Sequence, residues 1–244
     1  MDLIGVFLIS VFASFFGAMV GGGGLITIPF FIFLGLPPQV AIATNKAGSL
    51  GLLVGSFLKY FRSGKIQWKV IIPFSVMAFF AGVFGSYFLL SIDTALLEKI
   101  IAVIILLLLI LILIKRDLGL QHREVSILNK IFGYIFYFLA LFWGAFFGGG
   151  FGVLVSYVLV YLFGFTMIET AATSKIPSFV MGVTAVVIYS FNGLIYLPFV
   201  IPVVLGMFLG GYLGASFAVL KGNKVVKLFF VLVVIFSAVK LLFF

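Results

Sequence analysis

The chain has no cysteine, one histidine, two tryptophans and only six acidic residues in 244. Without cysteine there can be no disulfide, thiolate metal site or cysteine nucleophile. The histidine, His122, stands beside Arg123 and Glu124 in a polar stretch, where a solvated loop residue is expected. There is no Ser-His-Asp set, no HExxH pair, and no glycine run that leads into Gly-Lys-Ser/Thr. Hydrolysis, metal chemistry and nucleotide-driven pumping therefore lack their residues, and neither enzyme activity, a metal nor a cofactor is expected. Charge is scarce too, at 9% of residues, against roughly 25% in a soluble domain. What is abundant is apolar: 65% of the chain, including 33 phenylalanines. So few charges cannot solvate a globule, so lipid must surround most of the chain, and an all-α polytopic membrane protein is expected. The net charge of +9 points to an anionic partner, but no basic face outside a bilayer is large enough for nucleic acid.

A spanning helix needs about 20 apolar residues. Stretches 40–60, 66–91, 95–114, 169–191, 194–219 and 223–243 satisfy this. Two longer stretches, 3–36 and 128–164, are interrupted by glycine clusters, Gly21-Gly22-Gly23-Gly24 and Gly148-Gly149-Gly150 with Gly152. Each glycine costs a helix about 1 kcal/mol relative to alanine. Each long stretch thus reads as a helix, a break and a short second piece, in a helical hairpin or re-entrant segment. The apolar N-terminal stretch has no basic flank, the first basic residue being Lys46. Its pattern is copied later in the chain, so it reads as retained structure and not as a cleaved signal.

The copy is an internal repeat. At an offset of 129 residues, Thr44, Lys46, Ser49, Tyr60, Gly64, Pro73, Gly82 and Gly85 fall on Thr173, Lys175, Ser178, Tyr189, Gly193, Pro202, Gly211 and Gly214. Upstream the offset is 127, and Gly17-Ala18 meets Gly144-Ala145 while Gly21 to Gly23 meet Gly148 to Gly150. Lys59, Arg62, Lys65 and Lys69 crowd one loop, whereas its equivalent, Asn192-Gly193, is uncharged. The loop with Asp93, Glu98 and Lys99 is matched instead by Lys221, Lys224 and Lys227. Basic loops face the cytoplasm, so the reversed bias indicates inverted repeats. The expected organisation is a first transmembrane repeat at 1–114, a basic cytoplasmic linker at 115–127 and a second repeat at 128–244. In each repeat a glycine-broken segment is followed by three spans.

Two features are suited to an anion. A helix broken at mid-membrane exposes backbone N–H groups with partial positive charge, at Gly21, Gly22, Gly23 and Gly24 and at Gly148, Gly149 and Gly150. The other use of glycine is close helix packing, the better reading for Gly206, Gly210 and Gly214 at four-residue spacing. The second feature is a pair of lysine motifs. Thr44, Asn45, Lys46 and Ser49 correspond to Thr173, Ser174, Lys175 and Ser178, each a cation among polar side chains on one helix. A lysine at the membrane centre costs about 2.5–3.5 kcal/mol by insertion scales; near a helix end it would instead snorkel to headgroups. Glu169 suits the first turn of its helix, with proton coupling as its alternative use. Trp68 and Trp143 suit the membrane interface, or for Trp143 the cavity beside its glycine break.

On GAMVGGGGLITIPF at 17–30 and ATNKAGS at 43–49, with GAFFGGGFG at 144–152 and ATSKIPS at 172–178, the chain resembles the sulfite exporter TauE/SafE family of membrane proteins. The resemblance implies transport of a small sulfur-containing anion, such as sulfite or a sulfonate, across the cytoplasmic (inner) membrane. Pro177 stands where the first half has Gly48, and Phe151 where it has Gly24, so the half-sites differ. The resulting expectation is a secondary transporter for a small oxyanion, the halves rocking about a site between them. The partners expected are that anion and the lipid bilayer, with a homodimer left open. The alternatives are a non-transporting scaffold or accessory subunit, and a proton- or cation-coupled carrier that uses Glu169.

Overall fold

The structure, a computed structural model, describes residues 3–21, 23–93, 96 and 119–229. The expected span 95–114, most of 223–243, the start of the linker and Gly22 lie outside the described residues. The helices are α1 (Leu3–Val20), α2 (Gly24–Phe33), α3 (Pro38–Arg62), α4 (Ile71–Ser91), α5 (Ile127–Phe146), α6 (Phe151–Leu162), α7 (Met167–Thr173), α8 (Lys175–Phe191) and α9 (Leu197–Lys221). A 3₁₀ turn, Trp68–Val70, precedes α4. No strand occurs among the described residues. Among the described residues five stretches are long and apolar enough to cross a membrane: Pro38–Arg62, Trp68–Ser91, Ile127–Phe146, Met167–Phe191 and Leu197–Lys221. Large apolar side chains such as Ile72, Phe191 and Leu220 stand exposed, a surface suited to a lipid surround. This is a multi-pass membrane protein.

Local chemistry explains the helix ends. Pro38 occupies the start of α3, where its missing N–H is not needed. Ser126 caps α5 by accepting from the Asn129 N–H at 3.2 Å. Both long stretches break at glycine: α1 stops at Val20 and a 10-residue α2 follows, and α5 stops at Phe146 before a 12-residue α6. Between them Gly21 (φ +74°) and Gly150 (φ +71°) take left-handed conformations that L-residues with side chains avoid. The chain folds back there, because a Cβ on Gly23 would lie 2.9 Å from the carbonyl oxygen of Ala13, ten residues earlier. Pro177 accounts for the gap between α7 and α8. Its missing N–H would have bonded Thr173, and the helix is interrupted at Ser174, whereas α3, with Gly48 there, runs unbroken.

The packing units are not the sequence halves. α4 lies against α5 and α8, and α9 lies against α1 and α3. Each of these two helices thus packs on elements of the other half. Small residues permit close backbone approach: Gly206, Gly210 and Gly214 of α9 abut the carbonyls of Phe7, Val11 and Phe15, and Gly85 of α4 abuts that of Phe142. Matching positions also make matching bonds. Tyr60 donates to the Ala18 carbonyl at 3.1 Å and Tyr189 to that of Ala145 at 2.8 Å. Thr173 Oγ1 accepts from the Gln67 N–H and Thr44 Oγ1 from the Tyr196 N–H, both at 3.0 Å.

Candidate functional site

The two glycine breaks meet at the centre. The Gly152 N–H donates to the Gly21 carbonyl at 3.3 Å, and beside this contact lies a cavity of about 100 Å³, room for several waters or one small ion. Of the residues expected at a site, Gly21, Gly23, Gly24, Asn45, Lys46, Ser49, Gly148, Ser174, Lys175 and Ser178 line it. The others have different work. Thr44 and Thr173 hold the backbone of the opposite half, as above. Gly149 accepts from the indole Nε1 of Trp143 at 3.0 Å. Gly150 caps α6 in its left-handed conformation. Trp143 is therefore buried and locks a glycine break instead of anchoring at an interface, and it does not line the cavity. Trp68 is exposed.

Backbone donors are less available at α6 than expected. The N–H groups of Phe151, Gly152 and Val153 donate to the carbonyls of Gly148, Gly21 and Gly150 at 3.3, 3.3 and 3.0 Å. Protein partners thus engage the first turn of that helix.

The lysines dominate the electrostatics. Lys46 and Lys175 are 4% and 6% exposed. Lys46 Nζ donates to the carbonyl of Gly144, and Lys175 Nζ to that of Ala18 at 3.2 Å. Both carbonyls lie in the last turn of a broken helix, α5 and α1, where the helix carries partial negative charge. The Lys175 ammonium also lies 5.6 Å from the Tyr60 ring centroid. Each ammonium has three donors, of which one is engaged by a carbonyl. The ion pair found among the described residues is His122 with Glu169, so neither lysine has a carboxylate partner there. Two buried cations without counter-ions at one cavity are costly, and an entering anion relieves that cost.

Glu169 does not line the cavity. It forms a capping box with Thr166 at the start of α7, accepts from Gln67 Nε2 at 2.9 Å and pairs with Nδ1 of the exposed His122 at 2.9 Å. Thr166→Ala should destabilise the protein by about 1 kcal/mol, read as a lowered thermal midpoint. An unchanged midpoint would show that the box does not hold α7.

Sequence reasoning missed three hydroxyls that line the cavity, Ser14, Ser156 and Thr170. Thr170 had a legible signal: with Ser174 and Ser178 it recurs every fourth residue, and the Ser174 and Ser178 N–H groups bond the carbonyls of Thr170 and Ser174 in register. Ser14 and Ser156 are isolated hydroxyls in apolar runs and had none.

The family model described as sulfite exporter TauE/SafE matches residues 6–241. The chain belongs to this family. A probable membrane transporter protein of Haemophilus influenzae is 28% identical over 227 residues, 93% of this chain and 89% of the relative. A probable membrane transporter protein (ORF9) of a Sinorhizobium species is 28% identical over 97% of this chain and 91% of its own length. The Escherichia coli K12 probable membrane transporter protein YfcA is 24% identical over 99% of this chain and 90% of its own length. No solved structure matches the chain. This TauE/SafE protein is a membrane transporter with its buried lysine pair at the meeting point of two glycine breaks.

Proposed function

We propose that this TauE/SafE protein is a secondary transporter carrying a small oxyanion, sulfite or an organosulfonate, through the central cavity by alternating access in the cytoplasmic membrane. One observation carries the reading: Lys46 and Lys175, from matching points of the two halves, are buried at one cavity without a carboxylate partner among the described residues. A substrate anion supplies the charge that the fold withholds, and both ammonium groups contribute to the field that draws it into the cavity. Hydroxyl and amide groups on the same wall give its oxygens directional partners. The two halves lie in inverted orientation, as the reversed basic loops suggest. The bodies that move are not the halves themselves. They are the interleaved bundles of α1, α3 and α9 and of α4, α5 and α8, which share the cavity between them.

The test is sulfite flux into proteoliposomes. Replacing both lysines, Lys46→Gln with Lys175→Gln, should reduce flux to the level of protein-free liposomes, while each single variant retains part of it. Wild-type flux in the double variant would sink the reading.

A further inference from the structure

The two sides of the cavity are unequal, and we infer that the substrate's negative charge is held on the Lys175 side, by Lys175 with the hydroxyls of Thr170, Ser156 and Ser178, while Lys46 remains a fixed positioning charge. The inference rests on the oxyanion reading above and says where in that site the anion sits.

The first observation concerns unspent donors. Thr170 lines the cavity, and its Oγ1 is buried without a hydrogen-bond partner. Such an orphan costs about 1–3 kcal/mol unless something supplies its partner. Ser156 and Ser178, 7% and 4% exposed, also line the cavity and make no side-chain hydrogen bond among the described residues. These three hydroxyls come from consecutive elements of the second half, α6, α7 and α8. The first half offers no equivalent. By the repeat offsets Thr170 falls on Ala41 and Ser156 on Pro29, which have no hydroxyl. Ser178 falls on Ser49, whose Oγ donates back to the Lys46 carbonyl at 2.7 Å. Asn45 Oδ1 accepts from Thr27, so its amide Nδ2 is the side-chain donor that the first half adds to Lys46, against three hydroxyls beside Lys175.

The second observation concerns what each lysine leaves behind if it turns toward a ligand. Tyr60 also donates to the Ala18 carbonyl, at 3.1 Å, so Lys175 can release that oxygen without orphaning it. Lys46 has no such reserve. The N–H groups of Phe147 and Gly148, which follow Gly144, both go to the Trp143 carbonyl, and Tyr189 serves Ala145 instead. If Lys46 moved, the buried Gly144 carbonyl would lose the side-chain donor it has, at the cost of an unsatisfied group. Lys175 is therefore free to follow a substrate, and Lys46 is held. Three hydroxyls and an ammonium suit a headgroup that presents three oxygens, as a sulfite or sulfonate does.

The experiment compares KM for sulfite and thermal midpoints across variants of the full chain in proteoliposomes and in detergent. Thr170→Val, Ser156→Ala and Ser178→Ala should each raise KM several-fold, and the triple variant about tenfold or more, with midpoints shifted little. Thr170→Ser, which keeps the oxygen, should regain most of what Thr170→Val loses. Lys175→Gln should raise KM more than Lys46→Gln does, and Lys46→Gln should lower the midpoint more. A triple variant with wild-type KM, or equal or reversed KM effects at the two lysines, would overturn the inference while leaving the transport reading intact. Absence of sulfite flux in the wild type would overturn both.

Discussion

Gly21→Val should abolish recovery of folded protein. A Cβ at Gly21 would stand 2.2 Å from the Cα of Gly152, with the Gly152 nitrogen at 3.0 Å and its carbonyl carbon at 3.1 Å. All three are backbone atoms, so no rotamer change relieves the overlap. The φ of +74° adds roughly 1–2 kcal/mol for any L-residue with a side chain. Moving Gly152 aside would break its bond to the Gly21 carbonyl and separate the two breaks that wall the cavity. A loss above about 4 kcal/mol is expected. Gly35 isolates the conformational part, since its φ is +92° but a Cβ there meets nothing within 4 Å. Gly35→Ala should therefore cost only about 1–2 kcal/mol. Recovery of folded protein reads the first variant and thermal unfolding the second, and a Gly21→Val protein recovered with a wild-type midpoint would mean that the two breaks do not touch.

The second large effect is expected where the interleaved helices meet. In Gly51→Ala the new Cβ would lie 2.2 Å from the Val204 carbonyl oxygen, with the Val204 carbonyl carbon at 3.1 Å. α3 and α9 must separate to admit it, at about 3 kcal/mol or more, against the helix advantage of alanine over glycine of about 1 kcal/mol. Gly182→Ala makes the opposite case. The nearest atom there is Leu50 Cδ2 at 2.9 Å, the end of a flexible side chain, and the next is 3.9 Å away. That variant should be neutral or up to about 1 kcal/mol more stable. The two alanines differ in sign, and equal midpoints would refute the assigned seam.

Much of this was legible in residues whose chemistry is local. Glycine clusters cannot sustain a helix wherever they lie, so both breaks could be read at Gly21 and Gly150. Lys46 and Lys175 stood out because a buried cation in a lipid-facing chain needs a reason. The departure of Pro177 from Gly48 was legible as a difference between the half-sites, but 169–191 read as one unbroken span; the gap after Thr173 arises because proline removes one identifiable hydrogen bond. Helix partnership was not legible. Hydropathy distinguishes lipid from water, but lipid is as apolar as a neighbouring leucine, so α4 has no composition that says α8 rather than α3. For the same reason Trp143 read as an interfacial anchor, when its indole instead serves a glycine carbonyl. The engagement of the Gly152 N–H was equally hidden, since it depends on where the other glycine break lies in space.

The interleaving also orders events while the chain is being made. α1 begins at Leu3 and α3 ends at Arg62, yet α9, which packs on both, ends at Lys221. Until the last of these emerges from the ribosome, the glycine face of α3 at Gly48, Gly51 and Gly55 has no helix to receive it. The first bundle is thus inserted before it can close, and it closes only after α4, α5 and α8 have been placed. Contacts of such long sequence separation form late. Biogenesis is then a single late event that joins both bundles and seals the cavity together, and a nascent chain halted in the linker holds two open seams in lipid.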